Sequence, residues 1–147
     1  MGYDIEVVDA PERLTAVVVL STTWPGLPEA AGAAFDDVWA FLAGEEGLRD
    51  RGHNVILYKD AVPNVEVGVE VTRTFPPAGR VEPSVLPGGR VARTVHRGGY
   101  DGLPAAHRAV REWCTANGHD VAGPRWEIYG DWDDDPARCE TEVVWLL

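Results

Sequence analysis

The chain repeats itself, and that repeat limits what it can fold into. Trp24-Pro25-Gly26-Leu27-Pro28 is answered by Tyr100-Asp101-Gly102-Leu103-Pro104. Each pentapeptide follows a run rich in β-branched residues, Arg13 to Ser21 in the first copy and Arg90 to His96 in the second. Each precedes an apolar stripe at helical spacing: Leu27, Ala31, Ala34, Phe35, Val38, Trp39 and Leu42, then Leu103, Ala106, Val110, Trp113 and Cys114. Proline at the start of both stripes fits a first helical turn, where its missing N–H costs nothing. Gly52-His53-Asn54 is then matched by Gly118-His119-Asp120, the strand around Tyr58 by that around Tyr129, and Glu66 to Val71 by Glu142 to Leu147.

Each half therefore reads as strand-helix-strand-strand, with half 1 at about 3–74, a Pro- and Gly-rich connector at 75–89 and half 2 at about 90–147. One short helix cannot cover the sheet of its own unit. Two units are expected to pair around a pseudo-twofold axis, in an α+β fold with a concave surface at the seam. At 147 residues the whole chain fits a single domain. Weak alternation over Tyr3 to Val8 suggests a further strand, and Val65 to Thr72 alternates strongly.

Gly123-Pro124-Arg125-Trp126-Glu127-Ile128-Tyr129 opens on a turn and continues as a strand of period two. Glu127 and Tyr129 share one face, and Trp126 and Ile128, the pair with no ionisable group, share the core-facing one. On the residues alone, the acid beside the phenol is either a ligand-reading site or the solvated face of an ordinary antiparallel sheet. Glu66, Glu70 and Glu142 read as solvated strand residues, and Trp39 and Trp113 as core.

Composition excludes several classes. A net charge of -11, without a concentrated basic patch, argues against direct nucleic-acid binding. No segment approaches the ~20 apolar residues of a membrane span, and no secretory signal is evident, so a cytoplasmic location with no membrane partner is expected. Cys114 and Cys139 are too few for a disulfide framework or a zinc site, and His53, His96, His107 and His119 show no ligand spacing. Asp131, Asp133, Asp135 and Glu142 fall at the ligand spacing of an EF-hand. However, Pro136 stands where the turn requires glycine and no helix flanks the run, so it reads as an acidic hairpin loop. No metal and no cofactor is expected.

Leu86-Pro87-Gly88-Gly89, His96 to Leu103, Gly123 to Tyr129 and Thr141-Glu142-Val143-Val144 together resemble the GyrI-like family. These are the effector-binding domains carried by AraC-type and MerR-type regulators and also found as free-standing proteins. The resemblance implies one antiparallel sheet curved around a ligand cavity. A glutamate at the position of Glu127 would lie at the floor, ringed by aromatics. No helix-turn-helix precedes Tyr3, so a stand-alone member is expected.

A buried carboxylate is disfavoured as an anion unless a cation or hydrogen-bond donors compensate. The expected ligand is therefore small, hydrophobic and cationic or planar. The walls are expected from Trp24, Tyr58, Tyr100 and Tyr129, with Trp126 or Trp145 according to which way the sheet faces. The family also implies an enzyme alternative, hydrolysis of strained electrophiles such as cyclopropane-bearing antibiotics. Glu127 would then be the general base, and Tyr129 would hydrogen-bond the oxygen that gains charge. Inhibition of DNA gyrase is a third alternative, and a protein partner stays unidentified.

Overall fold

The computed structural model describes residues 2–131 and 133–147. Its elements run β1 (Glu6–Ala10), β2 (Arg13–Ser21), α1 (Leu27–Ala43), β3 (Asn54–Tyr58), β4 (Asn64–Glu70), β5 (Val81–Leu86), β6 (Gly89–Arg97), α2 (Leu103–Ala116), β7 (Arg125–Tyr129) and β8 (Glu140–Leu146). The strands form one antiparallel sheet in the order β1-β6-β8-β7-β3-β4-β2-β5. This order is unchanged when β3 is exchanged with β7, β4 with β8, β2 with β6 and β5 with β1. The pseudo-twofold axis therefore passes between β3 and β7.

The register places that axis on particular residues. Ile56 is directly opposite Glu127, and Leu57 opposite Trp126. Because Tyr58 and Tyr129 are equivalent in the repeat, so are Ile56 and Glu127. The two halves thus meet at one position filled by isoleucine in the first copy and by a carboxylate in the second.

Both helices begin where the repeat places them, with proline in the first turn after Gly26 or Gly102. On α1, Leu27, Ala31, Ala34, Val38 and Leu42 are buried against Val65, Val67 and Val69 of β4 and Ala16 and Val18 of β2. On α2, Leu103, Ala106, Val110 and Cys114 are buried against Ala92 of β6 and Val143 and Trp145 of β8. The opposite face of the sheet closes on itself in a separate core of Val55, Leu57, Leu86, Val91, Trp126, Ile128 and Val144. Gly68 sits where strands approach closely: a Cβ there would lie 1.8 Å from the carbonyl oxygen of Ala16. Only glycine fits a backbone pressed that near its neighbour.

Several elements differ from the sequence reading. The connector carries a strand, β5, which pairs with β2 along the outer edge of half 1. Pro83 interrupts its pattern, and an edge strand tolerates a proline because one side of its ladder is unpaired. At the other edge, β1 opens half 1 in the chain but pairs with β6 of half 2. The outer edge of half 1 is therefore capped by the connector and that of half 2 by the start of half 1. The first strand starts later than the alternation suggested, at Glu6, and β4 ends at Glu70 rather than Thr72.

Glu66 is not a solvated strand residue. It is buried, with Lys59 Nζ at 2.6 Å and a hydrogen bond from Ser84. In the acidic loop, Pro136–Arg138 form a single 3-10 turn capped by Asp135, while Trp132 lies outside the described residues. Among the described residues, no helix is long and apolar enough to cross a membrane.

Candidate functional site

The axis position opens into a cavity of about 960 Å³. Its floor is the β3–β7 seam, and its walls come from α1, which contributes Phe35 and Trp39, and α2, which contributes His107, Arg108 and Arg111. On β7 the period of two sends Arg125, Glu127 and Tyr129 toward it. On β3 the same rule sends Ile56 and Tyr58, and on β8 it sends Trp145.

Glu127 is 3% exposed, and three donors meet it. Tyr58 Oη donates to Oε1 at 2.9 Å, and Tyr129 Oη donates to the same oxygen. His107 Nε2 lies 2.8 Å from Oε2. The indole of Trp145 donates to His107 Nδ1 at 3.0 Å. An indole N–H can only donate, so Nδ1 must accept and carries no proton. His107 is therefore the neutral Nε2–H tautomer, and its contact with Glu127 is a hydrogen bond from an uncharged imidazole to a carboxylate.

The arrangement leaves one negative charge at the floor, met by three oriented protons. A carboxylate offers about four acceptor positions, so the protein fills all but one. The pKa of Tyr58 is raised by burial and then by the charge of Glu127, and that of Tyr129 is raised well above its ordinary value by the same causes in the same order. Both phenols accordingly stay protonated, and remain donors, across and beyond the neutral range.

The aromatic walls repeat with the fold. In half 1, Trp24 stacks on Tyr58 with centroids 5.9 Å apart and planes at 24°. In half 2, its equivalent Tyr100 meets Tyr129 edge to face at 5.5 Å. Each helix also reaches across the axis, Phe35 of α1 to Tyr129 at 6.5 Å and His107 of α2 to Tyr58 at 6.1 Å. Trp24 and Tyr100 are about half exposed, at 48% and 46%.

Of the residues picked from sequence, Glu127, Tyr129, Trp24, Tyr58, Tyr100 and Trp145 come together around this cavity. Trp126 does not. Alternation along β7 turns it into the opposite core beside Ile128, so the sheet faces the way that selects Trp145. Trp39, expected in the core, instead lines the cavity, with its N–H on Asn54 Oδ1 at 2.9 Å and the guanidinium of Arg49 4.6 Å from its ring centroid.

Two residues central to the geometry, His107 and Arg125, were not singled out. The signal for His107 was its place one position after Ala106 in the α2 stripe. The signal for Arg125 was that it shares the alternation of Glu127 and Tyr129. Among the described residues, no group of three or more His, Cys, Asp or Glu is gathered as a metal site would require.

The family described as GyrI-like small molecule binding domain matches residues 4–147. Among solved structures, the chain is similar to the C-terminal domain of EcmrR, with a TM-score of 0.80 and 21% identity, over 99% of this chain and 98% of that one. It is also similar to SAV2435 bound to tetraphenylphosphonium, with a TM-score of 0.66 and 9% identity over 99% and 93% of the two chains. A hydrolase from Listeria innocua matches with a TM-score of 0.57 and 10% identity over 98% and 91%. These likenesses are of fold. No curated protein matches the chain.

Glu127→Gln keeps an oxygen for the phenols but turns an amide donor toward the Nε2–H of His107. It is expected to cost about 1–3 kcal/mol in urea unfolding. Trp145→Phe frees Nδ1, so the ring can move its proton there and accept from the amide. The tryptophan substitution should therefore cost about 1 kcal/mol less on top of Glu127→Gln than in the wild type. Strictly additive costs would show that Trp145 does not set the tautomer.

Proposed function

The chain belongs to the GyrI-like small-molecule-binding family, and from that premise we propose that it binds a flat, hydrophobic small molecule over Glu127, between the two aromatic pairs. Residues 1–147 act in this reading as one binding unit, because each half supplies one wall. The observation that carries it is the pseudo-symmetric placement of Trp24 on Tyr58 and Tyr100 against Tyr129, on either side of an open cavity. Two aromatic walls facing one space favour a planar guest, which gains apolar burial and stacking at low conformational cost.

The carboxylate supplies orientation. With three acceptor positions already taken, its remaining lone pair suits one N–H or O–H donor on the guest. The three protein donors meet the negative charge at the floor, so a cationic guest is not required for Glu127 to be stable. Binding of tetraphenylphosphonium by SAV2435 supports the general class, a bulky aromatic molecule in this fold. Sequestration of such a molecule, or sensing for a partner encoded elsewhere, would both use this site.

Hydrolysis of a strained electrophile is a second reading, favoured by the hydrolase among the similar structures and by the phenols beside the carboxylate. Glu127 would take a proton from water as the water oxygen bonds to a ring carbon and the ring C–C bond breaks, and Tyr129, turning its O–H from Glu127, would donate to the oxygen that gains charge. Mass spectrometry of a cyclopropane-bearing electrophile incubated with the protein would show the gain of one water, lost in Glu127→Gln. An unchanged mass rejects it. Nothing in the site favours gyrase inhibition.

For the binding reading, the neutral fluorophore pyrenebutanol is the probe. Saturable binding is expected, weakened about twofold to twelvefold by Trp24→Ala, in line with ~0.5–1.5 kcal/mol for one aromatic contact. Because Trp24 is exposed, its removal should leave the melting temperature close to that of the wild type. No saturable binding, or equal affinity in the variant, would refute the reading.

A further inference from the structure

The chain is acidic as a whole, yet the cavity lining is not. Arg49, Arg108, Arg111 and Arg125 all line it, against two carboxylates, Glu127 and Asp131. Glu127 is occupied as described. Asp131 points to solvent at 95% side-chain exposure, with His53 Nδ1 3.7 Å away. In a chain of net charge -11 this is a local reversal of sign.

Most of the basic residues outside the cavity are paired, Arg51, Arg73 and Arg90 being the exceptions among the described residues. Arg13, Lys59, Arg80, Arg93, Arg97 and Arg138 each hold a carboxylate within 4.0 Å. Among the described residues, none of the four cavity arginines has such a partner. Arg49 is otherwise engaged, stacked on Trp39 and donating to the carbonyl of Gly52 at 2.9 Å.

The other three belong to one end of the cavity. Arg125 begins β7, directly opposite Tyr58 in the register, and Arg108 and Arg111 come from α2, one turn apart and immediately after His107. The guanidinium of Arg125 lies 5.1 Å from the ring centroid of Trp145 and 5.9 Å from that of Tyr58, and its N–H groups reach only backbone carbonyls, of Gly123 at 3.3 Å and Asp60 at 3.5 Å. The carboxylate of Asp60 is occupied by Asn64 and the backbone N–H groups of Val62 and Asn64.

We infer that the guest is an acid: a flat hydrophobic body with a carboxylate, sulfonate or phosphate group that docks on Arg108, Arg111 and Arg125, while the body lies between the aromatic pairs. This rests on the aromatic-clamp reading above and adds the class of ligand to it. Guanidinium groups that line one cavity with no carboxylate within 4.0 Å among the described residues are what an oxyanion bridges through paired N–H donors. Burial lowers the pKa of Arg125, Tyr58 and Asp60 oppose it, Arg111 adds to it and Glu127 opposes it, and the net direction is down, a load that an incoming anion would relieve. The same end of the cavity repels a cationic tail.

One pyrene body with three tails tests this by fluorescence titration: pyrenebutyrate, pyrenebutanol and pyrenebutylamine. The acid is expected to bind about tenfold more tightly than the alcohol, and the amine more weakly than either. In the double variant Arg108→Gln, Arg111→Gln, both positions being exposed on α2, the acid should lose more affinity than the alcohol, so that its advantage falls below about threefold. Raising salt should shrink the same advantage in the wild type. Equal binding of acid and alcohol, a tighter amine, or an acid advantage that survives the double variant overturns the inference while the clamp stands. Failure of all three tails to bind removes the clamp, and this inference with it.

Discussion

A carboxylate is held at the point where the two halves of the molecule touch, and the surrounding structure is arranged to keep it there. Taking such a charge out of water costs several kcal/mol even after the protein relaxes. Three hydrogen bonds to a charged acceptor return roughly 1.5–3 kcal/mol each, a sum of the size needed to offset that cost. The donors come from three different elements: Tyr58 on β3, Tyr129 on β7 and His107 on α2. Closing the seam is thus a condition for burying the charge. Trp145 adds the last constraint by fixing which nitrogen of His107 carries the proton.

Duplication explains both the symmetry and the way it is broken. The placement of the outer strands, β1 onto half 2 and β5 onto half 1, covers the sheet edges that a single unit would leave open. The axis itself needs one residue from each copy, and the copies differ there: Ile56 against Glu127. A strictly symmetric pair of acids would repel across the ladder, and a symmetric pair of isoleucines would offer no polar anchor. One of each gives a directional site on a symmetric scaffold. The α2 side then carries His107, Arg108 and Arg111, so the cavity has a polar end and an aromatic middle.

Much of this was legible in the residues. Two Gly-Leu-Pro helix starts gave the duplication, and period two around Tyr129 put Glu127 on a shared face with it. The strand β5 was hidden because Pro83 and the flanking prolines and glycines erase the alternation on which a strand reading depends. The choice between Trp126 and Trp145 could not be made locally: alternation says they point to opposite faces, while only the placement of both helices says which face holds the cavity. His107 looked like an isolated histidine in an apolar helical stripe, and its two partners lie 20 and 38 residues away in sequence. Arg125 shared the face of Glu127 by simple counting, but nothing local indicated that its charge would go without a carboxylate partner.

The protonation state of His107 is where these claims converge, because it follows from Trp145 and determines what Glu127 meets. Nitrogen-15 chemical shifts of the histidine side chains at neutral pH measure it directly. The account predicts that His107 has a protonated Nε2 and a bare, hydrogen-bonded Nδ1, with no imidazolium. A doubly protonated ring, or the proton on Nδ1, would contradict it.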